Sequence, residues 1–281
     1  MPIVRGQLKR TTDSIRFNVI LVLFLVCALF PFYWMILTSL RPDAEIYQAA
    51  SLMPKTVTTF HYDELLTTTN FLIYFKNSMI VAVSTTLITL AIGFPAAFTL
   101  IFLRVRGREL IARSVFFAYL LPPILLFIPM LVLVNSLGLG NTLFSLVLTY
   151  LSFTVPFVTW LLLGYLRSIP TELMDAALID GCTKFAAMRL IIIPLSAPGV
   201  ATAGIFAFTL SWNEFLYALV LISSDKFRTI PVGISGLIMG DVYLWGMIMA
   251  SAVMASVPAV TFYIISQRFV VSGLTAGGVK G

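Results

Sequence analysis

Charged residues are absent from five long stretches of this chain: Phe17–Leu40, Asn77–Leu103, Ser114–Leu166, Leu190–Asn213 and Val242–Gln267. Each is long enough for the roughly 20 apolar residues that a helix needs to cross a bilayer. The third has room for two crossings and contains the turn sequence Asn135-Ser136-Leu137-Gly138-Leu139-Gly140-Asn141 between them. Six spans are therefore predicted, near residues 17–40, 77–103, 114–135, 142–166, 196–222 and 245–267. None shows the regular ten-residue alternation of a barrel strand. Helices satisfy their own backbone polar groups inside lipid, so a bundle is the consistent solution. The expected fold is an all-α integral membrane protein, a six-helix transmembrane bundle forming a single domain over residues 1–281.

Composition agrees. Hydrophobic residues make up 59% and charged residues 11%, against roughly 25% charged in a soluble domain. The net charge of +6 changes the picture only through its distribution. With a cytoplasmic N-terminus, 13 of the 18 basic residues fall on inner segments, and Arg41, Lys55, Lys76, Lys226 and Arg228 fall outside. That asymmetry predicts a multi-pass protein of a bacterial or archaeal cytoplasmic membrane with both termini cytoplasmic. It argues against a nucleic-acid partner. The first span lacks a small-residue cleavage site and reads as a retained anchor. Cys27 lies in that span and Cys182 in a cytoplasmic loop, so no disulfide is expected. His61, the one histidine, is expected at the surface, with no metal site around it.

The loop between spans four and five is the most informative segment. Pro170 suits the start of a helix because its missing N–H is unneeded there. Glu172 and Asp175 follow, favourable beside a positive helix N-terminus, and Gly181 supplies a left-handed stop. The predicted helix is about ten residues, or roughly 15 Å. That is too short to span, so it should lie along the cytoplasmic membrane surface. Leu173, Ala176, Ala177 and Asp180 share one of its faces by helical spacing, where two alanines permit close approach of a partner. Thr183 can cap a second short helix through Phe185 and Met188.

Asp175-Ala-Ala-Leu-Ile-Asp-Gly181, with Pro194 13 residues after the glycine, resembles the "EAA" loop of permeases in importers of the ATP-binding-cassette (ABC) type. Trp212-Asn213-Glu214-Phe215, Thr229-Ile-Pro-Val-Gly233 and the ending Gly273–Gly281 resemble the carbohydrate, maltose-type branch of that family. Asp175 stands where the family usually has Glu, keeping the charge but losing one methylene of reach. The resemblance implies a coupling loop of Glu172, Asp175, Ala176, Ala177, Asp180 and Gly181. It implies five kinds of partner: a second permease subunit, two cytoplasmic ATPase subunits, an extracytoplasmic solute-binding protein, membrane lipid around the permeases, and a sugar-like substrate. It also implies contact between the binding protein and Asp225, Lys226, Arg228 and Asp241 on the last outer loop. No Walker-type phosphate loop occurs in the chain, so no cofactor is expected on it. ATP would be consumed by the partner ATPases.

Glu214 lies about 16 residues, or roughly 24 Å, into the fifth span if that span enters near Pro198. An ionisable group at such depth usually faces a cavity or a partner. Asn213 and Glu214 are therefore candidate ligands for sugar hydroxyls along the translocation pathway, with Trp212 as a stacking surface and Phe215 beside them. The competing reading is an interhelical clasp. Paired acids, a histidine cluster or a nucleophile–base arrangement within the spans would be needed for an enzyme, and none is evident. An ion-coupled secondary carrier of small polar solutes is the alternative transporter class; it would call for intramembrane carboxylates or inverted repeats.

Overall fold

The computed structural model describes residues 2–48, 51–240 and 242–277, with side chains from Arg16 onward up to Gln267, except that of Met239. Asp241 and the last four residues of the glycine-rich ending lie outside the described residues. Among the described residues the protein is helical apart from one small ribbon. Four helices are long and apolar enough to cross a membrane, and two further crossings arise if each of two sharply bent helix pairs is one span.

The chain divides into two compact units, residues 1–69 with 237–254, and residues 70–236 with 255–281. The first begins with α1 (Pro2–Ser39), followed by the single turn α2 (Asp43–Ile46) and by α3 (Phe60–Thr68). It ends with an antiparallel ribbon, β1 (Ile238–Met239) paired with β2 (Val242–Tyr243), and the start of the last helix. A buried polar knot holds its connecting segment. The Arg41 guanidinium sits 5.4 Å from the Trp34 ring centroid and donates to the Ser51 carbonyl. Glu45 accepts from the backbone N–H groups of Lys55 at 2.9 Å and Thr56 at 3.4 Å. His61 is not at the surface, as its sequence context predicted. It is 1% exposed, with Nε2 2.7 Å from the Arg41 carbonyl oxygen. Gly246 makes the room for it: a Cβ at that position would overlap the imidazole.

The second unit is built on α4 (Phe71–Phe102) and α7 (Leu143–Leu166). Lipid offers no hydrophobic drive between helices, so small residues and hydroxyls bring them together. Gly93 lets α4 approach so closely that an added Cβ would lie 3.1 Å from Thr159 Oγ1 and 3.2 Å from a Val158 methyl. Thr89 and Thr154 bond across the seam at 2.8 Å. Between these two helices in sequence, α5 (Arg108–Leu120) meets a turn of 3-10 helix at Pro123–Leu126 and then α6 (Phe127–Ser136). The axis bends by 91° there. The span predicted near 114–135 is thus interrupted at Pro122-Pro123. Prolines remove the N–H groups that would continue the helix, and the Tyr217 hydroxyl donates to the Pro123 carbonyl at 2.7 Å.

After α7 come α8 (Glu172–Ile179), α9 (Lys184–Ala187), a π-turn over Met188–Ile192, α10 (Ile193–Leu195), α11 (Ala197–Trp212), α12 (Leu216–Leu221) and α13 (Ile230–Ser235). The chain turns by 80° between Leu195 and Ala197. Pro194 and Pro198 prevent a straight helix there. The buried Ser196 hydroxyl bonds back to the Ile192 carbonyl at 2.7 Å. The last helix, α14 (Trp245–Gly277), crosses from the first unit's part of the sequence into the second's.

Candidate functional site

The surface helix forms where the sequence places it. α8 is eight residues long, and its end is a Schellman motif. The Cys182 N–H reaches the Ala177 carbonyl at 2.9 Å and the Gly181 N–H reaches that of Leu178 at 3.2 Å. Gly181 has φ +87°, a conformation that an L-residue adopts only at a cost. Thr183 Oγ1 accepts from the Ala186 N–H at 3.2 Å and starts α9.

The facing of α8 differs from the sequence reading at one residue. Ala177 is 3% exposed and Met174 2%. Both belong to the apolar cluster that joins the ends of α4, α7 and α11 through Phe98, Leu166 and Ala203. Ala177 therefore roots the helix and does not present a docking surface. Residues 174 and 177 are one turn apart, so they share the inward side. Glu172, Leu173, Asp175, Ala176, Ile179 and Asp180 remain exposed. Ile179, which sequence reasoning passed over, is 86% exposed.

The predicted pathway cluster lies at a break in the fifth span. α11 ends at Trp212 and α12 starts at Leu216. Glu214 bridges that gap locally: Oε1 accepts from the Tyr217 N–H at 2.9 Å and Oε2 from the Ala218 N–H at 3.2 Å. A carboxylate at the start of a helix is favoured by the orphan N–H groups and the dipole. Trp212 is not an open stacking surface. It is buried, its ring stacks on Phe208 at 5.4 Å between centroids, and Phe75 meets it edge-on at 5.8 Å. Its indole N–H donates to the Ala255 carbonyl at 3.2 Å. Asn213 and Phe215 are exposed, and Asn213 Nδ2 bonds back to the Thr209 carbonyl at 3.0 Å.

The charges of the loop after α12 divide. Asp225 is held by the Tyr74 hydroxyl at 2.6 Å, by Asn70 and by Arg228 at 3.0 Å. The Tyr74 bond, with help from Asn70 and Arg228, keeps its carboxyl below the ordinary value against the opposing effect of burial. Lys226 is exposed, its ammonium 5.6 Å from the Phe227 ring centroid. Asn77 Nδ2 binds the Lys226 and Arg228 carbonyls at 2.9 and 2.8 Å, and Ser78 Oγ accepts from the Ile230 N–H at 2.8 Å. This pins the Thr229–Gly233 motif, with Gly233 closely overlain by Tyr74. Asn141, seen in the sequence only as part of a turn, adopts φ 58°. Its Oδ1 accepts from the Ser223 and Ser224 N–H groups at 3.2 and 2.8 Å.

A surface helix rooted in the bundle and a broken fifth span are the features by which the protein can be compared with others. Residues 89–275 match the family described as binding-protein-dependent transport system inner membrane component. The chain belongs to that family. One relative is the sulfoquinovosyl glycerol transport system permease protein SmoH of Agrobacterium fabrum, 38% identical over 92% of this chain and 91% of that protein. Another is the trehalose/maltose transport system permease protein MalG of Thermococcus litoralis, 35% identical over 92% of this chain and 94% of that one. The crystal structure of a bacterial ABC transporter involved in the import of the acidic polysaccharide alginate has the same fold in one of its chains. The TM-score is 0.78 at 22% identity, covering 91% of this chain and 95% of that one. The resemblance read from the loop and the later motifs is borne out: this is an ABC importer permease of the inner membrane, and the ion-coupled carrier is set aside.

Proposed function

We propose that this permease carries a sugar or sugar-like solute into the cytoplasm by alternating access, as one of two permease subunits above two ATPase subunits. Two relatives named for sugar or glycoside transport support the substrate class. The observation that carries the coupling part is the build of α8. It is exposed along one side, closed at its C-terminus by the Gly181 turn, and fused by Met174 and Ala177 to the cluster that closes the bundle. ATP bound by the partners would close them on each other. α8 would move with them as a rigid lever, and the helix ends rooted in the same cluster would follow. A solute-binding protein would deliver the substrate at the opposite face, with Lys226 the outer-loop charge most available for that contact. The break at residues 213–215 is the proposed lining of the pathway, with Asn213 and Phe215 offered to solute and Glu214 holding α12 in place.

The test is on the complete transporter, purified with its ATPase and reconstituted with loaded binding protein. Ile179→Asp and Ala176→Trp alter the exposed side of α8 without touching its root. Each is expected to lower ATPase retention or to separate hydrolysis from uptake. Normal retention, stimulated hydrolysis and uptake in both variants would remove α8 from the coupling role.

A further inference from the structure

The geometry points to a built binding groove for the phosphate headgroup of an anionic phospholipid, at the end of α7 where the arginines gather. A cavity of about 470 Å³ lies between α5 and the last turns of α7. Arg113 and Arg167 stand on its two walls, with Glu109 on the same side of α5. Both arginine side chains are exposed, and neither has a hydrogen-bonding or ion-pairing partner among the described residues. Glu109 lies four residues before Arg113 and is ion-paired with neither arginine. Two unneutralised guanidinium groups facing one cavity suit a phosphate, which a guanidinium can grip through paired N–H donors.

The rest of the groove is apolar and aromatic. Phe116 and Trp160 line it, their ring centroids 5.6 Å apart. Tyr119 stacks on Trp160 at 5.4 Å, which holds the indole at the groove wall. Trp160 lies seven residues before Arg167, about 10 Å along α7. The groove therefore runs from a charged mouth to an aromatic, acyl-chain depth over the thickness of one interfacial layer, where Trp and basic residues concentrate. Gly164 forms its floor. A glycine inside a helix costs about 1 kcal/mol relative to alanine, and here no packing demands it: a Cβ would meet nothing within 4 Å. Its effect is to leave the groove open at that point of α7. A soluble anion needs no aromatic tail to its site; a lipid needs both ends. Basic pockets between transmembrane helices are known to take such headgroups.

The intact transporter, purified and placed in nanodiscs of equal phosphatidylglycerol and phosphatidylcholine, is dissociated in native mass spectrometry to count retained lipid. The wild type should retain phosphatidylglycerol over phosphatidylcholine. Each arginine near an anionic headgroup contributes about five-fold, so Arg113→Gln with Arg167→Gln should reduce that preference about twenty-five-fold. Gly164→Leu, which fills the floor without altering any charge, should reduce it as well. Equal retention of the two lipids by the wild type, or an unchanged preference in the double variant and in Gly164→Leu, overturns the proposal. Displacement of the lipid by millimolar inorganic phosphate overturns it too, since the ligand would then be the free anion.

Discussion

Single residues decide whether α8 can act as a lever. At Gly181 the backbone stands at φ +87° and a Cβ would meet nothing nearby. Substitutions there act through backbone strain and not through clash. Asparagine tolerates the left-handed region better than other residues, and valine, β-branched, tolerates it poorly. Uptake and ATPase retention are therefore expected to fall in the order wild type, Gly181→Asn, Gly181→Val, with the valine strain on the order of 1–2 kcal/mol. Wild-type behaviour of both variants would show that the end of the helix does not matter. Ala177→Trp should fail differently. Its side chain would enter a packed cluster, so reduced yield and reduced thermal stability of the whole subunit are expected, measured in detergent before any ATPase is added. A stable Ala177→Trp subunit that merely loses its ATPase would put Ala177 back on the docking side.

Among the elements, the bent pairs show how far sequence carries. Pro122-Pro123 marks an interruption plainly, because two adjacent rings cannot continue a helix. At the 91° turn the hydroxyl of Tyr217, 94 residues away, donates to the Pro123 carbonyl. Tyr217→Phe would remove that bond, a loss of about 0.5–1.5 kcal/mol. It should lower the apparent thermal midpoint of the solubilised subunit, while Tyr263→Phe, at a hydroxyl exposed and unbonded among the described residues, should not. Equal midpoints would mean that the break is held by the prolines alone. The same limit explains the other differences. The turn at Gly181 and the cap at Thr183 are local chemistry, and they were legible. The burial of Ala177, the enclosure of Trp212 by Phe75 and the Ala255 carbonyl, and that of His61 beneath Gly246 depend on residues far along the chain. Periodicity over so short a helix as α8 put Ala177 on the docking face beside Ala176 when it turns inward, and an isolated histidine carries no sign of the glycine that will cover it.

At the scale of the molecule in its membrane, the apolar stretches, the family and the bent pairs agree on an inner-membrane protein with as many as six crossings. The sidedness rests on the arginines and lysines of the connecting segments. With a native background free of accessible thiols, Lys184→Cys should react with an impermeant maleimide only from the cytoplasmic side, and Asp63→Cys only from the outer side. Reaction with opposite sidedness at either position would invert the topology and move α8 away from the ATP.

Met174 and Ala177 bury α8 in the cluster that also holds Phe98, Leu166 and Ala203. If α8 is the lever proposed above, it is welded to its load and has no freewheel: a rearrangement of those helix ends that favours one facing of the bundle would displace α8 with it. Binding equilibria linked through such an element are reciprocal. If ATP on the partners shifts the affinity for solute by some factor, then solute arriving at the far side shifts the affinity for ATP by that same factor. The loaded and empty transporter would then differ in nucleotide affinity, so that the ATPases are informed of cargo they never touch.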